Sequence, residues 1–468
     1  MMTRPELKPP DREHSGHLME RIAGAPAVAL EKTVDESKKI VSAIQGRKSV
    51  KKAEDFWHML GPGLTTGAAD DDPSGIATYS QAGAKYGFQW LWLASLTFPL
   101  MAVIQEMCAR IGLVTGRGLA ANIKKHYSKN VLYLCALLLF AANSFNIGAD
   151  LGAMAKATQL LIPRTNFTLL VFFFTILSLL LQIFISYKRY AKYLKYLALI
   201  LISYILSALL IDLDWQDILL HTALPTMSFD RDSILLITGV LGTTISPYLF
   251  FWQTSQEIEE EVLAGKQSLK SRLGATDDEI KKMRSDVWSG MFFSNLVMFF
   301  IIAACGATLY AHGITNIGTA ADAAAALRPL AGESAYLLFA IGIIGTGLLA
   351  IPVLAGSASY ALAESFSWRE GLYLKLGKAH AFYGVIIIST LLGLVSNFLG
   401  LDPIKALIYS AIANGIVAPV VLMLIVSLSS NKKVMGERAN SRLVKGIGWL
   451  VTILMTVASL ASITLLIF

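Results

Sequence analysis

Apolar runs long enough to cross a bilayer recur along this chain from about residue 59 to its final residues, and they decide its class before any single side chain does. A helix needs about 20 consecutive, mostly apolar residues to span the hydrocarbon. Such runs fall at 59–82, 89–114, 131–162, 167–187, 193–211, 234–256, 286–311, 335–364, 380–399, 403–429 and 444–467. They predict eleven transmembrane helices and an all-α polytopic membrane protein. Hydrophobic residues make up 54% of the 468 and charged ones only 16%, too few charges to keep so much apolar surface in water.

The net charge of +7 invites a nucleic-acid reading until its location is drawn. Lys and Arg cluster in alternate connections: Arg47 to Lys52, Arg117 to Lys129, Lys188 to Lys195, Lys266 to Arg284, Arg369 to Lys378 and Lys432 to Arg442. The opposite connections hold few positives, and the 212–233 loop carries Asp212, Asp214, Asp217, Asp230 and Asp232. By the positive-inside rule the N-terminus is cytoplasmic and the C-terminus extracellular, in a cell (plasma) membrane. The basic excess is topological, and no nucleic-acid partner is expected.

The domain limits follow. Residues 1–55 form a cytoplasmic tail without a cleavable signal, in which 18–45 fit an amphipathic helix on the inner leaflet as well as a tail without fixed structure. Two five-helix repeats are expected at 56–211 and 234–429, the second inverted because five is odd. They are separated by the 212–233 loop and followed by a cytoplasmic loop at 430–443 and an eleventh helix at 444–468. Cys108, Cys135 and Cys305 lie in apolar runs without pairing or metal-ligand spacing and read as buried packing residues.

Spans one and six are interrupted in the same way. The first carries "DDDPSG" at 70–75 and the sixth "GTTISP" at 242–247. Proline removes a backbone donor and clashes with the preceding turn, so each site frees carbonyls that lipid cannot satisfy. Paired interrupted helices at corresponding positions of two repeats point to a transport site at mid-membrane. A carboxylate there costs about 2.5–3.5 kcal/mol on insertion scales, so Asp72 is read as a cation ligand, with Asp71 beside it.

Thr243, Thr244, Ser246 and Tyr248 add hydroxyl and carbonyl oxygens, a hard donor set that suits Mg²⁺ or Ca²⁺. Neither break contains Met, Cys or His, which disfavours late transition metals. Asp150 and Glu364 are candidates for a proton or cation pathway. For Asp150 a pairing role with Lys156 or Arg110 stands as the alternative.

These segments resemble the NRAMP divalent metal transporters. "GPGLTTGAADDDPSG" is similar to the family's first helix with its Asp-Pro-Gly-Asn motif, and "TTISPYLFFWQTS" to its Met-Pro-His-Asn helix, with similarity of order over nearly all of 56–468. The resemblance implies a LeuT-like fold and carries the ligand positions to Asp72, Gly75, Ser246 and the carbonyls of Thr243 and Ala69. Here Ser74 stands for Gly, Gly75 for the ligand Asn, Ser246 for the ligand Met, Tyr248 for the first His and Gln253 for a second.

Those departures match the NRAMP-related magnesium transporter branch. They imply uptake of partly hydrated Mg²⁺, and of Mn²⁺, with Ca²⁺ excluded, by alternating access and without proton coupling, because both histidines are gone. The ion is the cargo, no cofactor or enzymatic motif is present, and the expected partners are the ion and the bilayer, with no pattern for an oligomeric state. Rival readings are a proton-coupled Mn²⁺/Fe²⁺ symporter, a LeuT-like symporter of an organic substrate and, least favoured for want of a cytoplasmic domain, a magnesium sensor.

Overall fold

The computed structural model describes residues 56–57, 59–226, 230–317, 319–400 and 403–467. Residues up to Leu60 group apart from Gly61–Phe468, and the fold is that of the larger unit. The possible amphipathic helix at 18–45 lies outside the described residues.

The first span is two helices, α1 (Pro62–Asp70) and α2 (Pro73–Tyr86). Then follow α3 (Leu91–Thr115), a short α4 (Leu119–His126), α5 (Lys129–Leu161), α6 (Phe167–Phe184), α7 (Tyr187–Leu209) and α8 (Trp215–Ala223). The sixth span is again divided, into α9 (Arg231–Thr244) and α10 (Pro247–Leu263). The chain continues through α11 (Asp277–Thr308), α12 (Ala320–Phe366), α13 (His380–Ser396), α14 (Pro403–Ser429) and α15 (Arg442–Ile467).

By length and composition, eight helical stretches among the described residues can cross a membrane, or nine if a bent pair beginning at Val417 is one span. One of the eight, Pro73–Thr115, contains both α2 and the whole second span, and α13 is a shorter apolar helix. Each of the eleven expected spans therefore has its helix. The lipid-facing sides are plain on α6, where Leu169, Phe172, Phe173, Ile176, Leu180 and Phe184 are exposed.

Three boundaries differ from those read in the sequence. The eighth helix begins at Ala320 rather than 335 and changes direction at Gly332, whose φ is 84°. Its first turns, "AADAAAALR", are rich in the best helix former, and Thr319 caps them by accepting from the Asp322 amide at 3.0 Å. The fifth starts at Tyr187, because Tyr187, Tyr190 and Leu194 bury one face of a stretch whose charges suggested a loop. The acidic 212–233 loop contains α8, and Asp214 there caps the Gln216 and Asp217 amides at 3.0 and 3.2 Å.

Both breaks have the same backbone. Asp71 (φ −85°, ψ 50°) leads into extended Asp72 (φ −68°, ψ 166°), and Ile245 (φ −109°, ψ 58°) into extended Ser246 (φ −86°, ψ 132°). Pro73 and Pro247 then open the second half-helices from the first-turn position, where the missing N–H costs nothing. The prolines restart these helices; they do not bend them.

What positions α1 is a close contact with α11. A Cβ on Gly63 would lie 2.5 Å from the Val287 amide nitrogen, and one on Gly67 would fall against the Gly290 backbone, so the two backbones touch without side chains between them. Gly61, which precedes α1, offers no side-chain cap. Asp286 of α11 caps it instead: its carboxylate accepts from the amides of Gly61 (2.8 Å), Gly63 (2.7 Å) and Leu64 (3.1 Å).

Candidate metal site

Asp72 is fully buried between the two halves of the first span and is the N-cap of α2. Its Oδ1 accepts from the Ser74 hydroxyl at 2.6 Å and the Gly75 amide at 2.7 Å, and its Oδ2 accepts from the Asn146 side-chain amide of α5 at 2.7 Å. An ionised carboxylate has about four acceptor sites, so three donors leave it oriented with capacity for a cation. None of the ion pairs found among the described residues includes Asp70, Asp71, Asp72 or Asp150.

The two breaks meet at Gly75. A Cβ there would lie 2.9 Å from Thr243 Oγ1, 3.1 Å from the Asp70 carbonyl oxygen and 3.4 Å from Asp72 Oδ1. Gly75 is thus the point where carboxylate, carbonyl and hydroxyl oxygens from both broken spans approach one another. The side-chain space given up at Gly75 is bounded tightly by the Thr243 hydroxyl, which has no hydrogen-bond partner among the described residues.

The half-helices are tied crosswise. Tyr248, in the first turn of α10, donates its hydroxyl to the Ala69 carbonyl near the end of α1 at 2.9 Å. Tyr79 of α2 and Thr244 of α9 share a hydroxyl–hydroxyl bond of 3.2 Å. Ser246 Oγ lies 2.6 Å from the Gly242 carbonyl and 2.7 Å from that of Thr243, so it covers a carbonyl expected to face the ion. Ala69 and Thr243 therefore both present carbonyls already engaged by a hydroxyl.

The three aspartates do not converge. Asp70 Oδ2 accepts from Ser294 of α11 at 2.8 Å, whereas Asp72 faces α5, and both carboxylate oxygens of Asp71 are buried without a partner. Among the described residues no group of three or more His, Cys, Asp or Glu side chains is placed to hold a metal ion. Any ion at the break would depend on hydroxyl, amide and carbonyl oxygens around one carboxylate.

Asp150 is fully buried, lies within electrostatic reach of Asp72 and the Ser74 amide, and has no partner on either oxygen. Its alternative pairing is not made. Arg110 pairs with Glu106 at 3.7 Å and bonds Asn440, while the Lys156 ammonium stands 5.7 Å from the Phe167 ring centre. Glu364 is not at the break: it accepts from the Ala121 amide of α4 at 2.9 Å and from Ser255 at 3.2 Å. Gln253 donates to Glu257 at 2.8 Å, one turn along α10.

The Nramp profile, described as natural resistance-associated macrophage protein-like, matches residues 63–465. The chain belongs to the Nramp family. Among the curated proteins, this Nramp chain is 27% identical over 396 residues to "Divalent metal cation transporter MntH" of Klebsiella pneumoniae subsp. pneumoniae, covering 84% of this chain and 90% of that one. It is 24% identical over 430 residues to the protein of the same name from Erwinia tasmaniensis, covering 90% and 96%.

Among solved structures the Nramp chain resembles the Eremococcus coleocola manganese transporter, with a TM-score of 0.66 at 18% identity over 88% of this chain and 87% of that one. It also resembles Mhp1, a nucleobase-cation-symport-1 family transporter, at 0.51 and 15% identity over 87% and 91%. These likenesses are of fold. The protein is a multi-pass membrane protein of LeuT-like architecture, with helices one and six broken.

Three residues near the first span escaped the sequence reading: Asn146, Asp286 and Ser294. Asn146 sits in the run "NSFNIGAD", one turn before Asp150, and a polar amide inside an apolar helix is its only signal. Nothing in the sequence ties Asp286 to Gly61 across 225 residues.

Proposed function

We propose that this chain is a secondary transporter of divalent cations, Mg²⁺ foremost and Mn²⁺ as well, moving a partly hydrated ion into the cytoplasm by alternating access without obligatory proton coupling. The observation that carries the reading is the donor set at the breaks. One oriented carboxylate, Asp72, accepts from Ser74, the other oxygens at the two breaks belong to Thr243, Ser246, Tyr248 and Ala69, and neither break carries a sulfur or imidazole. An inside-negative potential of 100 mV favours entry of a divalent ion by about 4.6 kcal/mol, so no second ion is required. In this reading Asp72, Ser246 and the carbonyls of Thr243 and Ala69 contact the ion at different stages, while Gly75 lets the oxygens of the two breaks approach one another without a side chain between them. Asp71, Ser74, Thr244, Tyr248 and Gln253 line the path. The basic connections face the cytoplasm, with the N-terminus inside and the C-terminus outside a plasma membrane, and the repeats run 56–211 and 234–429.

A second reading, proton-coupled Mn²⁺ or Fe²⁺ symport, is favoured by the unpaired Asp150 carboxylate near Asp72 and by the buried Met154 thioether packed on Gly347 beside Pro73. Purified protein in liposomes, with a Mg²⁺ dye inside and a pH dye in parallel, separates the two. Mg²⁺ uptake without acidification, abolished in Asp72→Ala, is expected. Mg²⁺ silence beside proton-linked Mn²⁺ uptake overturns the proposal.

A further inference from the structure

Asn146 is wholly buried on α5 at the level of the first break. Its side-chain nitrogen donates to Asp72 Oδ2 at 2.7 Å, and a carboxylate only accepts, so this bond fixes which end of the amide faces the aspartate. The other end, Oδ1, is consequently held in one direction, and it is buried with no donor directed at it. A carbonyl oxygen left unpaired in a membrane interior is disfavoured unless something supplies a positive partner.

The distances suit a cation. The nitrogen and oxygen of one amide are about 2.3 Å apart, which puts Asn146 Oδ1 within about 5 Å of Asp72 Oδ2. An ion held about 2.1 Å from two oxygens spans up to about 4.2 Å between them, a separation reached by a small turn of the amide. Thr243 Oγ1, from the opposite broken span, is also buried and unpaired, and it borders the space at Gly75 that lies beside Asp72 Oδ1. Gly75 itself has no side chain to offer. The only side-chain amide bonded to Asp72 among the described residues therefore comes from α5, outside both breaks.

We propose that Asn146 is a direct ligand of the transported cation, giving its side-chain carbonyl oxygen to the ion while its N–H holds Asp72 in place. The inference rests on the reading of Asp72 as the anionic ligand. It makes α5 a third contributor to the site, and it makes residue 146 a position that sets the hardness of the donor set. A group that merely positions Asp72 alters the handling of every ion alike. A ligand alters them unequally.

The test is uptake into liposomes by wild type, Asn146→Leu, Asn146→Cys and Asp72→Ala, with Mg²⁺ transport measured in competition with Mn²⁺ and Cd²⁺. Ion-dependent thermal stabilisation of the same purified variants provides a readout independent of turnover and shows whether each is folded. The expected result is a rise of tenfold or more in KM for Mg²⁺ in Asn146→Leu. In Asn146→Cys, inhibition by Cd²⁺ and stabilisation by Cd²⁺ should both strengthen at least tenfold relative to Mg²⁺. Equal scaling of all ions in both variants, or wild-type KM values, overturns the ligand role. Wild-type uptake by Asp72→Ala defeats the underlying site reading instead, so the two failures are told apart.

Discussion

Replacing Asp286 by Ala removes a cap that α1 cannot supply for itself. Three amides, those of Gly61, Gly63 and Leu64, lose an ionised acceptor at 2.7–3.1 Å. Loss of an N-cap costs about 0.5–2 kcal/mol, and hydrogen bonds to charged groups lie toward the strong end of the usual range. A cost of about 2 kcal/mol corresponds to roughly a 30-fold rise in the population with the start of α1 undocked. Hydrogen–deuterium exchange of the 61–70 peptide measures it. Exchange at the three amides should speed up by about that factor in Asp286→Ala. Asp286→Asn should fall between, because the amide keeps one acceptor oxygen and turns an NH₂ toward the other donor. Exchange and melting identical to wild type in Asp286→Ala would refute the claim that α11 caps α1.

Other expectations test different parts of the fold. Gly67→Ala forces a methyl into the Gly290 backbone and should prevent accumulation of folded protein, measured as monodisperse yield in detergent. Gly384→Ala, where a Cβ meets nothing within 4 Å, should leave melting unchanged or raise it slightly. Glu370, in the connection between α12 and α13, is pushed up to about 10 by burial and then by the nearby Glu364 and Glu259 carboxylates. The unfolded chain releases that proton near 4.5 and the folded protein only near 10, so this group's contribution to stability is full below pH 4.5 and declines as pH rises toward 10. Glu370→Gln should therefore melt higher than wild type at pH 8, with the gap widening toward pH 10 and closing below about 4.5. Parallel melting curves across that range would contradict the assignment.

The class of the molecule was legible because lipid imposes a one-dimensional rule: a span must be long, apolar and internally hydrogen-bonded. The breaks were legible for the same reason, since Pro73 and Pro247 cannot sit inside an uninterrupted span. Asp72 stood out by its insertion cost. Asn146 did not, because a neutral amide in an apolar helix carries a small cost and no characteristic spacing. Its meaning appears only when α5 is placed beside Asp72, 74 residues away in sequence. The long start of α12 was missed because hydropathy marks the part of a helix in lipid, whereas the alanines at 320–326 form helix through backbone propensity alone. Asp150 drew a wrong set of possible partners because unlike charges in a sequence suggest pairs, while Arg110 was already held by Glu106 and Asn440.

The bond from Tyr248 to the Ala69 carbonyl has a consequence for how the molecule divides when it moves. It is a single neutral hydrogen bond, worth about 0.5–1.5 kcal/mol net, and it joins α1 to α10. On its other side α1 is joined to α11 by three bonds to a carboxylate and by backbone contact at Gly63 and Gly67. A seam opens where the joint is weakest. Of the two joints, the one between α1 and α10 has the weaker polar contact, and it lies along the line where the two broken spans face each other.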